Sequence, residues 1–158
     1  MAIVIGGKSR CPICGNVIKD GQEIVSFPPF VGNELDPLWF FSDAAFHASC
    51  FQEHPLAQEA LHRSEELLRH IPPSNRLCVI CKREIEEFDD YFSLGHLVAD
   101  PAHPLFRYNY LQAHRSHLAQ WPELSQLSKL IQDLKESGAW RGPALDYILT
   151  VLKKAHPQ

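Results

Sequence analysis

The chain has 158 residues, 45% of them hydrophobic, and a formal charge of -4, which is material for one ordinary folded domain or two very small ones and argues against a mainly disordered chain. No apolar run reaches the length of a membrane span, and the opening MAIVIGG is too short and lacks the basic start of a secretory signal, so a soluble, cytoplasmic protein with no membrane role is expected. The acidic balance disfavours general binding to phosphate backbones.

In chain order, residues 1–10 form an N-terminal segment whose GGKS echoes the end of a phosphate-binding loop. The first glycine of that motif would fall on Ala2, and no strand or helix of adequate length flanks it, so the echo is set aside. CPICG then opens a short knuckle with Cys11 and Cys14. QEIVSF and PLWFFS read as strands, with a hairpin as the natural join. In SDAAFHASCFQEH the pattern turns helical, with Ser42 or Asp43 as cap and His47 and Cys50 three apart on one face of a turn. Pro55 fits the first position of a new helix with an apolar stripe of Leu56, Ala60, Leu67 and Ile71. A linker at 72–77, which takes in most of the turn-rich stretch IPPSNR, follows this first unit, 11–71.

The rest is largely a second copy. Sliding the sequence against itself by 67 residues aligns Cys11 with Cys78, Cys14 with Cys81, Ile18 with Ile85, His47 with His114 and Pro55 with Pro122 without a gap. DYFSL and PLFRY take the strand positions, Asn109 the cap, and Leu124, Leu127, Ile131 and Leu134 the helical stripe of a unit spanning 78–137. After ESGAWRGP, residues 138–158 hold a last helix lined by Leu145, Ile148, Leu149 and Leu152, which caps the pair or docks on the first unit.

At offset 67, Cys50 falls on His117, so a metal-binding side chain has been exchanged for another. Each unit thus offers four groups, Cys11, Cys14, His47 and Cys50 in one and Cys78, Cys81, His114 and His117 in the other, and all five cysteines are used. Four thiolates and imidazoles are what a closed structural zinc site requires, so two Zn2+ per chain are expected. His54, His62, His70, His103 and His156 read as surface or helix-end residues.

Knuckle, hairpin and helix with the second ligand pair in its first turns predict an α+β fold of two tandem treble-clef-like zinc-binding units, with helical extensions and a C-terminal helix. The long gap and the ending FHASCF resemble the zinc fingers of poly(ADP-ribose) polymerases, a resemblance that implies recognition of DNA breaks. The tandem units with aromatic residues near the second pair are also similar to LIM-type domains, which implies protein interaction, although the ligands for a second zinc per LIM module are absent. The segment containing Asn109, with His96 upstream, resembles the HNH nucleases. That would make His96 a general base and Asn109 its orienting partner, with a divalent ion at the leaving oxygen. Gly95 stands where that motif has Asp, no third histidine follows the ligand pair, and the first unit has Pro29 and Ser42 instead.

Charge and surface character decide among these functions. Residues 11–71 carry a net -6 and residues 78–137 a net -3, so neither unit is a basic finger. FPPFVGNELDPLWFF instead concentrates Phe27, Phe30, Trp39, Phe40 and Phe41, and rings left over from the core, rimmed by Glu34 and Asp36, would suit a partner protein of basic character. The expected role is therefore non-enzymatic: an adaptor, or an acidic inhibitor or immunity-type protein. A DNA-break finger and a degenerate HNH-like nuclease are the alternatives. No oligomeric state follows from the sequence.

Overall fold

The computed structural model describes residues 2–155. His156 and the last residues of the 138–158 segment lie outside them. The described residues are a mixture of helices and two small antiparallel sheets, an α+β protein, and the chain divides into two compact units. One comprises the chain up to Val31 and Asp36–Glu66, the other Gly32–Leu35 and the chain from Leu67 onward.

The first unit opens on a knuckle closed by a bridge between Arg10 and Val17. Its turn is pinned by hydrogen bonds from the Cys11 N–H to the Asn16 carbonyl at 2.9 Å and from the Gly15 N–H to the Cys11 carbonyl at 2.8 Å. Gly15 has φ +72°, a left-handed conformation that costs glycine nothing. Strand β1 (Ile24–Ser26) pairs antiparallel with β2 (Ala45–His47), Val25 opposite Phe46. Helix α1 (Ala48–Gln52) follows directly, and α2 (Ala57–His70) after a turn at Pro55. The core is a cluster of rings, Phe27, Phe30, Phe41, Phe46 and Phe51, all buried, with centroids in contacting pairs 5.2 to 6.3 Å apart. These distances fall in the favoured range for aromatic pairs.

The second unit repeats the plan. Leu77 bridges Glu84, β3 (Tyr91–Ser93) pairs with β4 (Gln112–His114), and α3 (Leu124–Glu136) follows a turn containing Pro122. Each of these bridges, strands and the helix begins 67 residues after its counterpart. Helix α4 (Ala144–Ala155) has no counterpart; Leu145, Ile148, Leu149 and Leu152 are buried as the sequence predicts, and α4 packs on α3 inside this unit's core. Residues 32–35 complete the same unit. Asn33 Nδ2 donates to the Ala139 carbonyl at 2.9 Å, its Oδ1 accepts from the Arg141 N–H at 3.0 Å, and Glu34 pairs with Arg141 at 2.9 Å. A side chain at Gly32 would meet Trp140 and Ala144 at 3.3 Å, so glycine is what lets the loop approach.

Several expectations need correction. PLWFFS and PLFRY are not strands: Pro37–Phe41 and Phe106–Tyr108 are short 3-10 helices. The first is capped by Asp36, whose Oδ1 accepts from the Leu38 N–H at 2.8 Å; at the aligned position His103 Nδ1 accepts from the Leu105 N–H at 3.1 Å. The strand partners are the three-residue segments ending at His47 and His114. Ser42 and Asn109 end these 3-10 helices rather than starting a following helix, and Pro55 and Pro122 lie in the turns before α2 and α3 rather than at their first positions. In the first stripe only Ala60 is fully buried; Leu56 and Leu67 are half-buried and Ile71 is exposed. The α2 face buries Ala57, Ala60, Arg63 and Ser64 instead, because Arg63, 8% exposed, holds Asp36 at 2.7 Å and Glu59 at 3.2 Å.

Candidate metal centres and an exposed aromatic pair

The fold brings the eight candidate residues into two sets of four. Cys11, Cys14, His47 and Cys50 converge in the first unit and Cys78, Cys81, His114 and His117 in the second, with the ligand atoms of each set within 4.8 Å of one another. In each, the knuckle supplies the first two sulfurs, the end of the second strand supplies a histidine, and the following turn supplies the fourth group. That last turn differs: Cys50 sits in α1, whereas His117 lies in a 3-10 helix, Arg115–Gln120.

Distances within the sets test whether an ion fits. Cys14 Sγ lies 3.4 Å from His47 Nδ1, and Cys50 Sγ lies 3.9 Å from the same nitrogen. In the second set Cys78 Sγ is 3.8 Å from His117 Nδ1 and Cys81 Sγ is 3.6 Å from His114 Nδ1. With metal–sulfur and metal–nitrogen bonds of about 2.3 and 2.0–2.1 Å, a tetrahedral site has sulfur–nitrogen edges of about 3.6 Å. All three histidines present Nδ1, and none of the five cysteines is in a disulfide. Both sets are therefore suited in geometry and donor chemistry to a metal ion.

Electrostatics point the same way. Burial opposes ionisation of Cys11, but the N–H groups of Cys14, His47 and Ile13 outweigh it and bring the thiol down to about 6. Cys78 is likewise brought to about 6 against its burial, chiefly by the N–H groups of Cys81 and His114; the latter lies 3.4 Å from the sulfur. Cys50 is pushed up to about 11 by burial and then by the neighbouring sulfurs of Cys14 and Cys11. Three sulfurs this close do not share three negative charges without a cation among them.

Residues around the ligands orient them, and sequence reasoning missed these. His47 Nε2 lies 3.2 Å from Gln22 Oε1, the kind of outer contact that fixes a ligating ring. In the second unit Asp90 accepts from the N–H and hydroxyl of Ser116, both at 2.8 Å. Burial would raise the Asp90 carboxyl, but these bonds and the nearby His114 and His117 hold it below its ordinary value. The recurrence of serine at 49 and 116, between the two ligands of each second pair, was the available signal; Gln22 left none.

His96 and Asn109 take a form that the repeat explains. Asn109 Oδ1 accepts from the Leu97 and Val98 N–H groups at 2.8 and 3.2 Å, and its Nδ2 donates to the Val98 carbonyl at 2.7 Å. Ser42 does the same work at the aligned place, its Oγ accepting from Phe30 and Val31 at 3.0 and 3.2 Å and donating to the Val31 carbonyl at 3.2 Å. Both clamp a loop. His96 is half-buried, its ring 5.9 Å from that of Tyr110. His54 stacks on Phe40 at 5.9 Å, His70 on Tyr110 at 4.9 Å, and His62 lies exposed 3.7 Å from Glu66.

Of the aromatic run, Phe27, Phe30 and Phe41 are core, whereas Trp39 is 43% and Phe40 41% exposed. The expected acidic rim is not free: Asp36 is held by Arg63 and Glu34 by Arg141. Among the described residues no helix is long and apolar enough to cross a membrane. Comparison of the chain with protein-family models, with curated proteins and with solved structures finds no match. Fold and sites together define the class: an α+β protein with two Cys/His centres that could hold metal. The step from that class to a role rests on its own surface.

Proposed function

We propose that both centres hold structural zinc, that each unit is a treble-clef-like zinc finger, and that the protein is a non-enzymatic interaction module. Zinc suits a Cys3His and a Cys2His2 set, and four protein ligands leave no open position for a reacting water. The ion's role is to replace, in units of this size, part of the core that a larger domain would supply.

The observation that carries the interaction reading is the pair Trp39 and Phe40, two large rings left exposed on a unit whose other phenylalanines are packed. Such rings are the usual anchors of protein interfaces. The net -6 of residues 11–71 favours a basic partner, as for an adaptor or an acidic inhibitor or immunity-type protein. The backbone-clamping bonds of Asn109, shared by Ser42, support a structural part for it rather than the orienting part an HNH-like nuclease would need.

The test uses zinc-loaded protein as bait, wild type beside Trp39→Ser/Phe40→Ser. A partner captured by the wild type and lost from the double variant, with zinc content and melting temperature unchanged, supports the reading; equal capture by both overturns it. A labelled duplex with a nick and an end supplies the counter-test. Saturable binding that weakens steeply with salt would favour the DNA-break finger, and strand cleavage with Mg2+ would favour the nuclease.

A further inference from the structure

We propose that the second unit carries a small-ligand site, a cleft beside its metal centre that takes a planar anion bearing an N–H donor, of the chemical class of a nucleoside monophosphate. The proposal is independent of the docking role given to Trp39 and Phe40.

The repeat supplies an internal reference. Each unit has two corresponding residues in the left-handed backbone region: Gly15 and Lys82 in the knuckle, at φ +72° and +60°, and Asp43 and Tyr110 before the second strand, at φ 54° and 58°. The first unit fills them with glycine and aspartate, which tolerate that region. In the second unit they are a lysine and a tyrosine, side chains that adopt it at a conformational cost. A third exchange puts Gln112 where the first unit has Ala45. Gln112 is 5% exposed; its Nε2 donates to the His70 carbonyl at 2.8 Å, and its Oε1 has no partner.

All three exchanges meet in one place. Lys82, Tyr110 and Gln112 line a single cleft of about 480 Å³, together with His70, Leu77 and Leu111 among others. That volume is of small-ligand size. The fold demands none of the three, since the first unit builds the same knuckle and the same strand pair without them. Strained backbone and an unmet buried acceptor gathered at one concavity are the marks of a site shaped for binding.

The lining sets the ligand's chemistry. Tyr110 stacks on His70 with 4.9 Å between centroids and 9° between planes, a flat surface for a flat partner. The Gln112 oxygen asks for an N–H or O–H donor. Lys82 is exposed and makes no ion pair among the described residues, so it supplies a positive charge at the cleft. Arg107, also at the cleft, is already held by Glu123 at 2.7 Å. A nucleobase with its amine and a phosphate meets all three demands, either as a free nucleotide or as the phosphorylated end of a strand.

Calorimetry on the zinc-loaded full chain tests this with AMP, adenosine, inorganic phosphate and a 5′-phosphorylated oligonucleotide as probes. Saturable AMP binding, at least about tenfold tighter than adenosine or phosphate, is expected from the need for both base and charge. Oligonucleotide binding tighter than AMP assigns the site to strand ends, and weaker binding assigns it to free nucleotide; either preserves the ligand chemistry. Gln112→Ala and Lys82→Gly, which install the first unit's residues, should each weaken AMP binding by about five- to tenfold. Lys82→Gly should melt at or above the wild-type temperature, because a strained residue has been removed, whereas Gln112→Ala also gives up the bond to the His70 carbonyl and should melt at or below it. No saturable AMP binding at millimolar concentration, or equal binding by wild type and both variants, overturns the proposal.

Discussion

The two units use one scaffold and fill it from opposite sides. In the first, large rings come from the knuckle-to-helix region, Phe27, Phe30, Phe46 and Phe51, and the facing helix contributes Ala57, Ala60 and Ser64. At the aligned positions the second unit has Leu94, Leu97, Ala113 and Leu118, while its helix contributes Leu124, Leu127 and Ile131. Volume lost on one side is made up on the other, as packing at near-crystalline density demands. The positions of the four metal-capable residues do not change, although the contacts around them do, Gln22 beside His47 in one unit and Asp90 beside Ser116 in the other. The metal centre and its strand pair are thus the conserved plan within this chain, and the core around them is interchangeable in detail.

Breaking the shared plan should have the largest effect. Cys78→Ser is expected to lose the second zinc and unfold its unit, since structural zinc contributes on the order of 10–16 kcal/mol of folding energy in small fingers. Metal analysis and a thermal melt read this, and a chelated protein with an unchanged melting temperature would end the zinc reading. Leu127→Ala, which borrows the first unit's residue without its rings, should cost about 2–5 kcal/mol in denaturant unfolding. The buried pair comes next. Arg63→Leu copies aligned Leu130 and strands Asp36, at about 3 kcal/mol, and adding Asp36→His, which copies His103, should recover much of that in a double-mutant cycle. Asn109→Ser should cost under about 1 kcal/mol if the two loop clamps are equivalent, and Asn109→Ala about 1–3 kcal/mol. Smallest of all is His117→Cys, expected to keep both zinc ions with a stability change below about 1 kcal/mol; loss of metal from it would show the two sites to be unrelated.

What the sequence revealed and what it hid have separable causes. The 67-residue register was legible because eight ligand-type residues recur without a gap, and the α4 stripe because four leucine and isoleucine side chains sit at helical spacing. The strands ending at His47 and His114 were not, since three residues are too few for any period to show and the ligand itself is one of them. PLWFFS and PLFRY misled because apolar runs rich in rings imitate strands; the side-chain oxygen of Asp36 and the ring nitrogen of His103, accepting two residues ahead, turn them into 3-10 helices instead. Ser42 and Asn109 sit in cap-like positions, yet their partners are N–H groups 11 and 12 residues back in the chain. Local rules do not see such partners.

The loop at Gly32–Leu35 has a consequence for synthesis. Asn33 and Glu34 leave the ribosome early, but Ala139 and Arg141, which they bond, lie 106 to 108 residues later. At about 5–20 residues per second, that is a wait of roughly 5–20 seconds. Through it the residues of the first unit are already complete while the Gly32–Leu35 loop between them stays unengaged, and the second unit reaches its final form only when the later part of the chain arrives to meet that loop.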